Sequence, residues 1–366
     1  MNGYGYFPAL AEIIYALVIL LSGAASVSLP LALLQAAVLL AFLSLLSFGV
    51  APLVPSPRLR ALLLATLLVM PDMVLMIERV GMVDLLIDAL ALGALLFLFR
   101  ALYLREESAF LIASGLLGLA LSMKLTMLVL AGYMALVVLI AFFRRYLGAR
   151  SLALFFLVPG MLAGYWYLRS LIVFANPFYP LFSGAGLDTA LAAETTFLPK
   201  TWWAFLFHPL LIYVPFLFPH PASRAIVLEA LVAAGALLLF AFRALRAKRV
   251  EWDVAYFIGF ALFYSWVLAP ITDDIRHTLP AFLALLIALF LMTARMLPVQ
   301  LPRAFFATAA LLLLLIAVPV YNVYKERALV ELGREPAARY IANEVRGSYT
   351  PAAYESATGV PLPSSP

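Results

Sequence analysis

The sequence predicts an all-α fold, a polytopic transmembrane helical bundle of about ten spans plus interfacial helices. Three observations predict it. Of 366 residues, 66% are hydrophobic and 12% are charged, whereas soluble domains are about 45–50% apolar and about 25% charged. The mean hydropathy of +1.07 agrees. The apolar residues fall into runs near the roughly 20 residues that a bilayer-crossing helix needs. The basic residues sit in short loops between those runs, where they set topology. The net charge of +5 is therefore no sign of a nucleic-acid partner. The chain contains no cysteine, which excludes disulfides and thiolate metal sites.

Residues 1–28 read as an external juxtamembrane segment. Its apolar part, "ALAEIIYALVILLS" (9–22), is short and carries Glu12, so it is expected along the membrane surface. The transmembrane bundle covers 29–323, with apolar runs at 29–50, 59–76, 83–99, 108–122, 125–143, 151–168, 225–242, 253–270, 278–294 and 304–323. As one helix, residues 108–143 would be about 54 Å long, against a hydrocarbon core of about 30 Å. Basic residues flank this stretch at both ends, Arg100 and Arg105 before it and Arg144, Arg145 and Arg150 after it. It must therefore fold back as a hairpin, with Lys124 at the turn.

The basic loops then fall on one side, taken as cytoplasmic. The other side holds 77–82, the Lys124 turn, an outer loop at 169–224, 271–277 and an external tail at 324–366. Residues 203–218 are apolar enough to cross, but a crossing would put the "RALRAKR" loop outside. They are read as interfacial, anchored by Trp202 and Trp203.

Ionisable side chains in or beside spans are costly and mark candidate sites. Here they gather on the outer side. Asp84 and Asp88 are four residues apart and share one helix face, with Asp88 about 6 Å deeper. Lys124, Arg169, Arg276 and His277 lie at other outer helix ends. Carboxylates suit Mg²⁺ or Mn²⁺, with Asp84 the candidate ligand. Arginine and lysine suit phosphate oxygens. The competing reading is that these charges pair with one another and only mark helix ends. No phosphate-binding loop, dinucleotide fingerprint, HExxH or nucleophile–base–acid triad is present.

Five stretches carry a resemblance to a known family. They are "FPALAEIIYAL" (7–17), "ERVGMVDLLIDALALGALLFL" (78–98), "SGLLGLALSMKLTMLVL" (114–130), "YWYLRSLIVFANPFYPLF" (165–182) and "DDIRHTLPAFLALL" (273–286). In this order and spacing the chain resembles the GT-C superfamily of polytopic glycosyltransferases. Within it, the likeness is to the group of protein O-mannosyltransferases, the lipid A aminoarabinose transferase and the Rgt-type galacturonosyltransferases. The fourth stretch is similar to an R-x(n)-G-N-P-x-Y-P element, with Ala175 where Gly is usual.

The resemblance implies a polyprenyl-phosphate-linked sugar donor bound at the outer face of a plasma-membrane, multi-pass protein surrounded by membrane lipids. It implies leaving-group contacts from Lys124, Arg169, Tyr179, Arg276 and His277, and acidic roles for Asp84 and Asp88. Family enzymes also carry an earlier helix and an outer loop with a catalytic Asp. This sequence does not contain them, so it reads as a truncated or inactive form, not competent in transfer alone. Two other readings remain open, a transporter or flippase for a lipid-linked or anionic substrate, and a non-catalytic subunit of a glycan-assembly complex.

Overall fold

A computed structural model describes residues 10–22, 28–68, 73, 84–178, 232–243, 251–268 and 275–296. These are all helices and the turns between them, with no strand among the described residues. The helices are α1 (Leu10–Ser22), α2 (Ser28–Val50), α3 (Pro57–Leu68), α4 (Asp84–Tyr103), α5 (Glu107–Met123), α6 (Met127–Phe143), α7 (Ala149–Phe174), α8 (Val232–Arg243), α9 (Trp252–Leu268) and α10 (Ile275–Met296). All belong to one unit, Met1–Ala310. Helices occupy nine of the ten expected runs; the run at 304–323 lies outside the described residues.

Four helical segments are long and apolar enough to cross a membrane: Leu33–Val50, Asp84–Tyr103, Ala149–Phe174 and Leu279–Met296. Glu107–Met123, Met127–Phe143, Val232–Arg243 and Trp252–Val267 are apolar but shorter. The expected split of 108–143 occurs at its predicted place. α5 stops at Met123, Lys124 turns extended, and α6 begins at Met127.

The centre of the bundle is α4, which is 89% buried across its span. A helix apolar on every face needs neighbours on every face, and α4 has them in α2, α5, α6, α9 and α10. At Gly49 a missing side chain admits Leu96 of α4, since a Cβ there would meet Leu96 Cδ1 at 2.8 Å. By contrast, α7 is only 17% buried. It exposes Leu157, Met161 and Ile172, the face expected to meet lipid.

Helix ends follow local chemistry. Ser56 caps α3, its Oγ accepting from Leu59 N at 3.4 Å, and Pro57 takes the first helical position, where no N–H is needed. α6 closes with the paired hydrogen bonds Tyr146 N to Ala141 O (2.8 Å) and Arg145 N to Phe142 O (2.8 Å). Arg145 holds the left-handed conformation between them, at φ 60.

The contacts also fix helix directions. Tyr256 of α9 donates to Leu95 O of α4 at 2.9 Å, and Tyr133 of α6 donates to Tyr256 O at 2.5 Å. The start of α9 (Trp252, Tyr256) lies against the end of α4 (Phe99, Tyr103), and α4 and α6 both begin at the Asp84–Lys124 pair, so α9 runs antiparallel to both. α10 returns beside it, since Arg295 bonds Asp253 and Glu251. Arg60, Arg100, Arg144, Arg243 and Arg295 thus share one end of the bundle. There Arg100 binds Glu106 at 2.7 Å, Phe48 O at 3.2 Å and the Phe48 ring at 4.3 Å. This ties α2, α4 and the α4–α5 turn together.

Candidate functional site

The opposite end carries the residues singled out from sequence. Asp84 opens α4, where a carboxylate complements the positive end of the helix dipole. Lys124 sits between α5 and α6, forty residues on, and its Nζ lies 2.5 Å from Asp84 Oδ1. The pair is largely shielded, with side chains 24% and 14% exposed. Asp88 is one turn further into α4 and is only 4% exposed.

Two further polar groups converge here. Tyr264 of α9 is fully buried, and its phenol interacts with Asp88, Thr126 and Asp84. Thr126 precedes α6, in the position where a threonine hydroxyl ordinarily caps the helix. Its hydroxyl makes no capping bond. Tyr264 OH and Thr126 Oγ1 are both buried, and the two side chains interact with each other.

Arg169 is placed differently from its expected position at the start of the 169–224 loop. α7 runs six residues beyond the expected end at 168, to Phe174, because "LIVF" (171–174) continues its apolar surface. Arg169 is therefore a half-buried helical residue within the last two turns. Its helix is tied to the Lys124 end by Tyr167, which donates to Leu121 O at 3.3 Å. The Tyr167 ring also meets Phe178 edge-on at 6.0 Å. Beyond the helix, Asn176 Oδ1 accepts from Phe178 N at 2.9 Å, a side-chain turn that aims the chain out of α7.

Ala175 joins these elements in the left-handed conformation, at φ 51. A β-carbon is unfavourable there and glycine is not, which is a physical reason for a glycine in such an element. Ala175→Gly is expected to raise stability by about 1 kcal/mol, read as a higher unfolding midpoint.

Tyr179 lies outside the described residues. Arg276 and His277 fall in the first turn of α10, at the Asp84 end by helix direction, and their side chains lie outside the described part of the structure. No group of three or more His, Cys, Asp or Glu side chains comes together among the described residues. Asp84 already holds the Lys124 ammonium, so a divalent ion there would compete with a resident positive charge.

The sequence reading missed Tyr264, Thr126 and Tyr167. Each is a hydroxyl in or beside an apolar run, and only the cost of burying it unpaired signals a role. At the basic end, Phe99, Leu102, Tyr103, Trp252 and Tyr256 line a shallow cavity of about 140 Å³, remote from these groups. No family model, curated protein or solved structure matches the chain.

Proposed function

We propose that this chain is a plasma-membrane, multi-pass glycosyltransferase-like protein of about ten spans that handles a polyprenyl-phosphate-linked sugar at the outer face. The observation that carries the reading is the Asp84–Lys124 pair at one end of the bundle, opposite the arginine-rich end. A carboxylate and an ammonium side by side at a helix-bundle rim match the two needs of the reaction, a proton acceptor and a positive charge for the departing phosphate. The acceptor hydroxyl attacks the anomeric carbon, and the bond from that carbon to the phosphate oxygen breaks. The phosphate leaves with both bonding electrons, and the acceptor proton passes to a carboxylate.

Lys124 and Arg169 are the proposed phosphate contacts, joined by Arg276, His277 and Tyr179. Asp84 is the proposed proton acceptor, with Asp88 behind it. In the resting state Lys124 would be held by Asp84. An incoming phosphate draws the ammonium away and leaves the carboxylate able to accept a proton. A divalent ion is not required by this scheme, and no step depends on one.

Binding tests it directly. Purified chain in nanodiscs is titrated with a fluorescent polyprenyl phosphate. Lys124→Ala and Arg169→Ala are each expected to weaken binding by about tenfold or more, the loss of one charge-assisted contact. Equal binding of the uncharged polyprenol, unaffected by either substitution, would overturn the reading. The transporter reading draws on a different observation. The polar groups continue inward past the rim to Asp88 and Tyr264, as in substrate or ion pathways. Flux of a lipid-linked anion in sealed vesicles would favour it.

A further inference from the structure

We infer that the turn between α6 and α7 binds the headgroup phosphate of an anionic phospholipid, held by Arg144, Arg145 and Arg150 and anchored by Phe143 and Tyr146. The inference does not rest on glycosyl transfer, and the turn lies at the end of the bundle opposite Lys124. It starts from an unequal use of the arginines at that end. Arg60 donates to Val54 O and Pro55 O at 2.9 and 3.1 Å. Arg100 is held by Glu106 and Phe48 O, Arg243 by Glu251, and Arg295 by Glu251 and Asp253. Arg144, Arg145 and Arg150, by contrast, are exposed. Among the described residues these three form no ion pair and no side-chain hydrogen bond. The fold binds the other guanidinium groups to itself and leaves these three, close together in one turn, to the surroundings.

Two of the three stand where the fold alone would favour another residue. Arg145 holds the left-handed conformation at φ 60, just past the end of α6, where glycine is preferred. Arg150 lies in the first turn of α7, where a positive charge opposes the helix dipole. Local stability therefore does not account for them. The chemistry around them defines the ligand. A guanidinium offers a planar fork of donors that matches phosphate oxygens. Beside the arginines, Phe143 and Tyr146 are 78% and 67% exposed. The exposed apolar surface continues along both helices through Leu136, Ile140 and Leu157. A free phosphate would leave these rings in water. A lipid uses both features, with its phosphate on the guanidinium groups and its acyl chains and glycerol against the rings. The continuous apolar surface likewise favours a lipid over a soluble acidic partner.

The experiment titrates the full chain, purified in a neutral detergent, with a fluorescent phosphatidylglycerol and with a phosphatidylcholine of the same acyl chains. Phosphatidylglycerol is expected to bind about tenfold more tightly, and the difference to shrink as salt rises. Arg144→Gln, Arg145→Gly and Arg150→Gln should each weaken phosphatidylglycerol about fivefold and leave phosphatidylcholine unchanged. Arg145→Gly separates binding from folding, since it should raise the unfolding midpoint while weakening the lipid. Arg105→Gly is its counterpart at the α4–α5 turn. Arg105 is also left-handed, at φ 58, but Glu106 and Glu107 follow it, so its loss should leave lipid affinity as it is. Equal affinity for the two lipids would overturn the inference. So would an equal loss in Arg105→Gly, which would reduce the site to diffuse charge. Displacement of the labelled lipid by inorganic phosphate as readily as by unlabelled lipid would assign the turn to free phosphate. Stronger displacement by polyglutamate would assign it to an acidic protein, and either result overturns the lipid site.

Discussion

Lys124→Ala is expected to destabilise the folded chain by about 2 kcal/mol. The substitution removes the ammonium that lies 2.5 Å from Asp84 Oδ1 and leaves that carboxylate 14% exposed with Asp88 one turn below it. Removing one partner of a fully buried pair costs about 3–5 kcal/mol. Partial exposure of both groups lets water recover some of that loss. The structural consequence is local to the α5–α6 turn, which Lys124 holds against the start of α4. Unfolding midpoints in detergent would measure it. The double variant Lys124→Met/Asp84→Asn removes both charges and should recover at least half of the loss, because the penalty is that of a stranded carboxylate. If the single variant is as stable as the parent, the pair is no more than two solvated charges at a helix rim.

The meeting of Asp84 and Lys124 was legible in the sequence because it follows from length. A 36-residue apolar stretch, 108–143, cannot be one crossing, so it turns at its only interior charge. That places Lys124 at the end where α4 begins. The helices were legible for the same reason, since each needs a run of apolar residues and little else. Partners across helices were not legible. Arg295 binds Asp253 and Glu251, and Arg243 binds Glu251. Nothing in an apolar pattern says which helix returns beside which. Tyr264 was hidden because a tyrosine in "YSWVL" reads as one more aromatic in an apolar run. Only its complete burial beside Asp88 makes the hydroxyl informative. The end of α7 was misjudged because Arg169 reads as a boundary. The helix instead carries the arginine, half-buried, and continues.

Gly118→Ala is expected to destabilise by about 2 kcal/mol, although alanine is the better helix former. The reason is the approach of α5 to α7. A β-carbon at Gly118 would lie 2.9 Å from the Pro159 Cα and 3.0 Å from the Leu162 Cβ. Pro159 is part of the helix backbone, so it cannot rotate away as a side-chain tip could. Small residues at such crossings let helix backbones meet, and they matter more in lipid, where no hydrophobic force presses helices together. Three contacts depend on the closeness. Ser122 Oγ donates to Leu162 O at 3.0 Å, Phe110 packs on Phe155 at 5.9 Å, and Tyr167 reaches Leu121 O at 3.3 Å. Forcing the helices apart weakens all three and loosens the segment that bears Arg169. Gly115 and Gly164 lie in the same two helices with nothing within 4 Å of an added Cβ. Alanine there should be neutral or stabilise by up to about 1 kcal/mol. The three variants therefore differ in sign, which a general sensitivity to altered glycine would not produce. Unfolding midpoints that move the same way in all three would mean that α5 and α7 do not pack backbone to backbone at Gly118.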